Sequence, residues 1–439
     1  MRRSFFVILM VILFSWIALP LATEATDVRI DITKGGKGKL RIAIADFTSH
    51  RTVSEDHSYQ IRKVLNSDLK MTGFFEPIEN EGFLREVNLK DQEEGRVVFK
   101  EWSLLGAQHL VKGEYTNSDG SLSLNFHLYD VNQGKLVVQK RYHAPAEQLR
   151  QMAHRFADEI FYLLTGEQGV AQTQIGFVAR GSGSKELYIM DYDGFNPQRL
   201  TRNRSILLSP AWSPEGDQII YTLYKNGNPN LYTLNLEKGS QGALSIYPGL
   251  NTAPAWSPDG KKIALVLSKD GNPSIYVMNR DRSHLRRLTF YSGIDSSPSW
   301  SPNGREIAFT SNRSGTPQIY LMDAEGTNIR RLTFEGKYND QAVWSPKGDK
   351  IAYSSRVKGR FQIFLIRASG GPFQQLTGLR GSSESPTWAP NGQRIAFSSI
   401  RHGVPQIYSI NANGTGLQQL TFMERGCSEP TWSPWRKEG

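Results

Sequence analysis

Ser297-Pro-Ser-Trp-Ser-Pro-Asn-Gly304 returns with small changes at a constant interval: Trp212, Trp256, Trp300, Trp344, Trp388 and Trp432 stand 44 residues apart. Other series keep the same spacing. Tyr188, Tyr232, Tyr276, Tyr320, Phe364 and Tyr408 lie in runs such as Gln318-Ile-Tyr-Leu-Met-Asp323. Ile175, Ile219, Ile263, Ile307, Ile351 and Ile395 open another run, and Leu200, Leu244, Leu288, Leu332, Leu376 and Leu420 precede Thr or Ser. A fixed period of about 40–45 residues holding several short strands defines a β-propeller blade.

Each unit reads as four strands. In one they are Ser297–Trp300, Glu306–Thr310, Gln318–Met322 and Arg330–Thr333. Ser301-Pro-Asn-Gly304 places Pro, Asn and Gly where a type I turn takes them. The recurrent Trp reads as a wedge between blades, because a ligand contact need not recur in every unit. The first strand, Gln174–Val178, lacks a preceding Trp strand, and Pro430-Thr-Trp432 lacks the strands that should follow it. Together they complete a sixth blade, so the C-terminal strand should close the ring and remove its open edges.

Upstream the composition changes. Met1-Arg-Arg, the apolar run Phe5–Phe14 and small residues to Ala25 read as a signal peptide over residues 1–25, cut after Ala22 or Ala25. The competing reading is a retained anchor, since the apolar stretch approaches spanning length. Residues 26–165 read as an α/β domain. Its strands are Val28–Ile32, Arg41–Ala45, His109–Tyr115, Leu122–Leu128 and Lys135–Arg141. One helix is expected over Tyr59–Met71. A second, from Pro145 to Leu164, puts Leu149, Met152, Ala153, Phe156, Ile160, Leu163 and Leu164 on one face. Residues 166–173 form a linker to the six-bladed propeller, residues 174–439.

Catalytic patterns are scarce. The sequence holds no Gly-x-Ser-x-Gly elbow, His-Glu-x-x-His, Cys-x-x-Cys or Walker pattern. Asp191-Tyr-Asp-Gly194 resembles part of a calcium loop but sits where every blade has a turn. The single cysteine, Cys427, cannot form an intramolecular disulfide and reads as a packing residue. No cofactor and no metal are expected. The formal charge of +10 includes Arg2 and Arg3 of the signal, and arginine pairs such as Arg330-Arg331 protect outer strand edges, so nucleic acid is not expected as a partner.

The signal, Asp27-Val-Arg-Ile-Asp-Ile32, the α/β domain, Ser209-Pro-Ala-Trp-Ser-Pro-Glu-Gly216 and the terminal Pro430-Thr-Trp-Ser-Pro434 together resemble the TolB family of the Tol-Pal system. The resemblance covers essentially the whole mature chain. It implies a monomeric, non-catalytic periplasmic adaptor, tied to the envelope through its partners. Such an adaptor binds the lipoprotein Pal at the propeller mouth and TolA through its N-terminal segment, in support of outer-membrane integrity and constriction at division.

Carried over by position, the TolA segment is Asp27, Val28, Arg29, Ile30, Asp31, Ile32 and Thr33, followed by the glycines Gly35, Gly36 and Gly38. The Pal contacts are Leu250, Asn251, Thr252 and Ala253 with Asp295 and Ser296. Two other classes compete. A secreted propeller enzyme acting on envelope sugars or peptides would need convergent acids at the mouth, with Asp295, Asp340 and Glu384 as members. A structural scaffold would bind partners with no response at residues 27–33.

Overall fold

The computed structural model describes residues 38–49, 56–118 and 120–435. The signal peptide and the TolA segment Asp27–Thr33 lie outside them. Among the described residues no helix is long and apolar enough to cross a membrane.

The N-terminal domain is a mixed sheet with helices on both faces. Its strands run in the order Phe75–Pro77, Leu40–Ile44, His109–Ser118, Ser121–Asp130 and Lys135–Pro145, with Thr48–Ser49 also paired to His109–Ser118. The first three are mutually parallel and the last three antiparallel. Alternation along the central strand explains the two layers. Ile42 and Ile44 face the core shared with helices Asp56–Thr72 and Leu149–Thr165, whereas Ala43 and Ala45 face Leu84, Val87 and Trp102 on the other side.

The helix expected from Pro145 starts at Leu149, after a 3-10 turn over Ala146–Gln148. Leu163, assigned to its buried face, is 41% exposed. Two helices escaped the sequence reading, Glu81–Glu94 and Phe99–Leu104. The first is mostly polar and buries only Leu84, Val87, Asn88 and Asp91, a helical spacing half hidden by its two polar members. Asn80 caps its N-terminus and Gly95, at φ 65°, ends it.

The remainder is a six-bladed propeller of four-stranded antiparallel sheets. The ring closes as expected. Cys427–Trp432 pairs with Gln174–Arg180, Trp432 opposite Ile175 and Thr431 opposite Gly176. The recurrent tryptophans wedge between blades, with Trp300 Nε1 donating to Ala255 O (3.2 Å) and Trp388 Nε1 to Val343 O (3.2 Å) of the preceding blade. The Thr of the Leu-Thr series latches the outer strand. Thr289, Thr333, Thr377 and Thr421 accept the N–H of Ile275, Ile319, Ile363 and Ile407 at 2.8–3.0 Å.

The N-terminal domain sits on the end of the ring where the innermost strands finish. The linker that follows it meets residues just beyond the tryptophans: Glu167 with Lys347 (2.9 Å) and Gln393, Gln168 O with Asn391 (3.2 Å), Gly169 O with Trp435 (2.7 Å). Among the described residues, none of the N-terminal domain covers the opposite mouth, where those strands begin.

Candidate functional site

The innermost strand of every blade carries a β-bulge just before its Trp, seen as a register shift against its neighbour. The bulged residues are Ser209, Ala253, Ser297, Gln341, Ser385 and Glu429, and none is glycine. All have positive φ, from 49° to 58°. Left-handed backbone at a non-glycine residue costs about 1–2 kcal/mol, so a ring of six such positions is strain maintained by the surrounding sheets. A bulge re-aims its side chain. Here all six line a central cavity of about 450 Å³, together with the prolines that follow five of them and with Trp212, Trp256, Trp300 and Trp432.

Neighbouring blades are tied across this ring. Glu429 Oε2 accepts the Ser209 N–H (2.5 Å) and Gln341 Oε1 the Ser385 N–H (2.8 Å). Asp340 accepts from Ser297 Oγ (3.1 Å), Thr310 Oγ1 (2.7 Å) and the Gln341 N–H (2.6 Å). Burial raises the Glu429 carboxyl above its ordinary value, against the Ser209 N–H. Burial, then the nearby Asp340, raises Glu384. One arc of the channel is thus acidic, and the opposite arc, Ser209, Ala253 and Ser297, is small and uncharged.

The loops entering the innermost strands surround the uncovered mouth, and large apolar side chains stand exposed there among charged ones such as Arg204, Glu335, Lys337 and Arg425. Ile246 (67%), Phe290 (77%), Phe334 (72%) and Phe422 (78%) recur with the blade period, and Ile206 and Ile294 are also exposed. Arg287 and Arg331 lie over Phe290 and Phe334, at 5.2 and 5.0 Å from the ring centres. The exposed apolar side chains thus form a periodic series around the channel entrance.

The residues carried over as Pal contacts fall at this mouth in two groups. Leu250, Thr252, Ala253 and Ser296 are partly exposed, and Ala253 lines the cavity. Asn251 and Asp295 are fully buried. Asn251 accepts from Ser245 Oγ (2.7 Å) and the Tyr247 N–H (2.9 Å) and donates to Tyr247 O (2.7 Å). Asp295 is gripped by Arg313 Nη2 at 3.0 and 3.1 Å. Both shape their loops from below and present no side chain to a partner. That also removes Asp295 from the acids available to an enzyme. Gln341 and Glu429 were missed, although the blade period marks their positions three residues before each Trp.

Cys427 is buried and its thiol is pushed up to about 11 by desolvation, so it is an unreactive packing residue. The turn at Asp191–Gly194 is no calcium loop. Asp193 pairs with Arg150 (2.5 Å) and Tyr192 donates to Asp68 (2.6 Å), both across the domain boundary. Asp68, His154 and Asp193 cluster there, with Arg150 supplying the cation.

Six closed blades around a central channel, with an α/β domain before them, define a two-domain β-propeller protein. The chain belongs to the TolB family: the pattern of the TolB beta propeller domain matches residues 161–436, and that of the TolB amino-terminal domain residues 28–137. It is 38% identical over 203 residues to the Tol-Pal system protein TolB of Syntrophotalea carbinolica, covering 46% of this chain and 47% of that one. With the Nitrosomonas europaea protein of the same name it shares 35% over 228 residues, 52% and 51% of the two chains. The chain thus spans about half the length of the curated relatives it matches. The crystal structure of TolB from Acinetobacter baumannii superposes with a TM-score of 0.79 at 28% identity, over 91% of this chain and 98% of that one.

Proposed function

We propose that this Tol-Pal component is a non-catalytic periplasmic adaptor. Pal docks on the uncovered mouth of the propeller, and TolA engages the segment Asp27–Thr33, in support of outer-membrane integrity and constriction at division. The observation that carries the reading is the mouth itself: exposed apolar side chains on the face away from the N-terminal domain, leading to six strained residues from which the cavity runs toward the tryptophan ends of the strands.

Strain held in every blade has a use if a partner reads the channel entrance, and the periodic Phe residues give that partner an annular apolar seat. Ala253 and Ser296 lie on adjacent loops of the uncharged arc, where a tip can enter without meeting a carboxylate. Buried Asn251 and Asp295 contribute by holding those loops. Asp27–Thr33 alternates polar Arg29 and Asp31 with apolar Val28, Ile30 and Ile32, a pattern able to add to a partner's sheet edge.

The test is site-specific photo-crosslinking. A crosslinker at Phe290 or Ile246 should capture Pal, and one at Lys238, on an exposed outer turn, should not. Capture from Lys238 with none from the rim would overturn the reading.

A further inference from the structure

Charge is spread unevenly around the mouth of the ring. On the blades 251–287 and 295–331 the cations of the mouth hairpins are paired, Lys269 with Asp270 (2.9 Å) and Arg313 with Asp295 (3.0 Å). The next two blades, 339–375 and 382–419, differ. Arg356, Lys358, Arg360, Arg380 and Arg401 fall on three neighbouring loop tips, 356–360, 378–381 and 400–403. Among the described residues none of the five has a carboxylate within ion-pair distance. A surface built only for solubility intersperses the two signs.

The three tips are in contact. Arg360 Nη1 donates to Leu379 O (2.6 Å). A Cβ added to Gly381 would run into Ile400 O and lie 3.2 Å from the Arg401 stem. Burial lowers the Arg401 pKa, against Tyr408 beneath it at 5.3 Å, and the neighbouring Arg380 lowers it further. The chain therefore holds like charges together, and it accepts a backbone cost as well. Lys358 and Gly359 form a two-residue hairpin turn between paired Val357 and Arg360, at φ 49° and 81°. The matching turn on the blade 207–245 is Asn226-Gly227, at φ 55° and 82°, the pair that such turns favour. Lysine in place of that asparagine does nothing for the turn. Strain and repulsion gathered at one place point to a ligand that uses the cations.

Apolar side chains stand among them. Leu379 is 36% and Ile400 41% exposed, and Phe334 and Phe422 flank the same side of the mouth. Projecting tips that mix guanidinium groups with exposed apolar side chains suit a layer of anionic headgroups. The apolar tips enter the layer, and the guanidinium groups take its phosphates, without the close shape match that a protein partner demands.

We propose that the tips 356–360, 378–381 and 400–403 form a membrane-surface site, which docks this side of the mouth on anionic phospholipid headgroups. The N-terminal domain sits on the other end of the ring, so a broad surface can reach the tips. The site lies across the ring from residues 250–253, and none of its five cations lines the channel cavity, so the small, uncharged arc stays open to a protein partner.

The experiment floats the protein with phosphatidylcholine vesicles, with and without phosphatidylglycerol. Binding is expected to the anionic vesicles alone, and to weaken as salt is raised. Each Lys or Arg near such a surface is worth about a fivefold change in binding, so Arg356→Glu with Arg380→Glu should weaken it by at least about tenfold. Lys238→Glu with Lys261→Glu makes the same change of charge on exposed turns at the other end and should bind as the parent does. All four positions are exposed, and melting temperatures check that both variants are folded. No binding to anionic vesicles, or an equal loss in both variants, overturns the membrane site. Binding unchanged by Arg356→Glu with Arg380→Glu overturns it too, and a fall in Pal affinity in that variant would then assign the cations to an acidic protein surface. The vesicle assay contains no partner protein, so its failure leaves the docking of Pal untouched.

Discussion

Trp432 donates its indole N–H to Thr173 Oγ1 at 2.8 Å, joining residues 259 positions apart at the seam of the ring. The indole is 6% exposed, and the residue also pairs with Ile175 of the first blade. Trp432→Ala removes the largest side chain at the only place where the ring is closed between its two chain ends. The expected cost is about 3–5 kcal/mol in urea unfolding. An unfolding midpoint equal to that of the parent would mean that the seam does not hold the ring.

Arg313 and Asp295 form a buried pair, with the Arg313 guanidinium also packed on Tyr320 at 5.0 Å. Arg313→Leu strands a carboxylate that is wholly buried, at an expected cost of about 3–5 kcal/mol. Adding Asp295→Asn should recover a good part of that loss, because the stranded charge disappears. Additive effects of the two substitutions would show that the pair is not coupled.

Gly169 is required by crowding. A Cβ there would lie 2.0 Å from Asp158 Oδ1 and 2.9 Å from the Asp158 Cα. The backbone atom cannot swing aside, so Gly169→Ala should destabilise the protein by about 1–3 kcal/mol. Gly120, whose added Cβ meets no atom within 4 Å, is the control for crowding, although its φ of 79° adds strain of its own. Thermal melts compare the two, and a loss at Gly169 no greater than at Gly120 contradicts the crowding argument.

The ring was legible in the sequence because every blade repeats the same packing problem, so Trp, Ile, Tyr and Leu recur at one interval. Closure followed from two incomplete ends, Gln174–Val178 and Pro430–Trp432. The helix Glu81–Glu94 was not legible, since Asn88 and Asp91 hide half of its buried face. The bulge ring shows a different limit. Its period is visible at Ser209 and Ala253, but positive φ in a non-glycine residue has no side-chain signature. Burial of Asn251 and Asp295 was equally hidden, because a polar loop residue reads as exposed until its partners, Ser245 and Arg313, are placed.

The segment Asp27–Thr33 is proposed to respond to Pal. Reciprocity requires that, if Pal frees the segment, deleting residues 27–33 raises Pal affinity by an amount within the usual coupling range of about 1–3 kcal/mol. TolA binding should vanish in the same deletion. Hydrogen exchange on amides 28–32, with and without Pal, reads the equilibrium. Equal protection in both states together with unaltered Pal affinity would leave the protein a scaffold without coupling.

The central claim is that the propeller mouth is the partner site, and Ala253→Gln tests it most directly. Ala253 sits at φ 49° in the bulge ring, so a β-branched replacement would confuse strain with occlusion. Gln341 holds the equivalent position at φ 56°, which shows that glutamine fits this backbone. Calorimetry of Pal against Ala253→Gln should give at least a tenfold loss of affinity, about 1.4 kcal/mol, with an unchanged melting temperature. Parent-like affinity in a fully folded Ala253→Gln protein would place the docking site away from the channel and contradict the account.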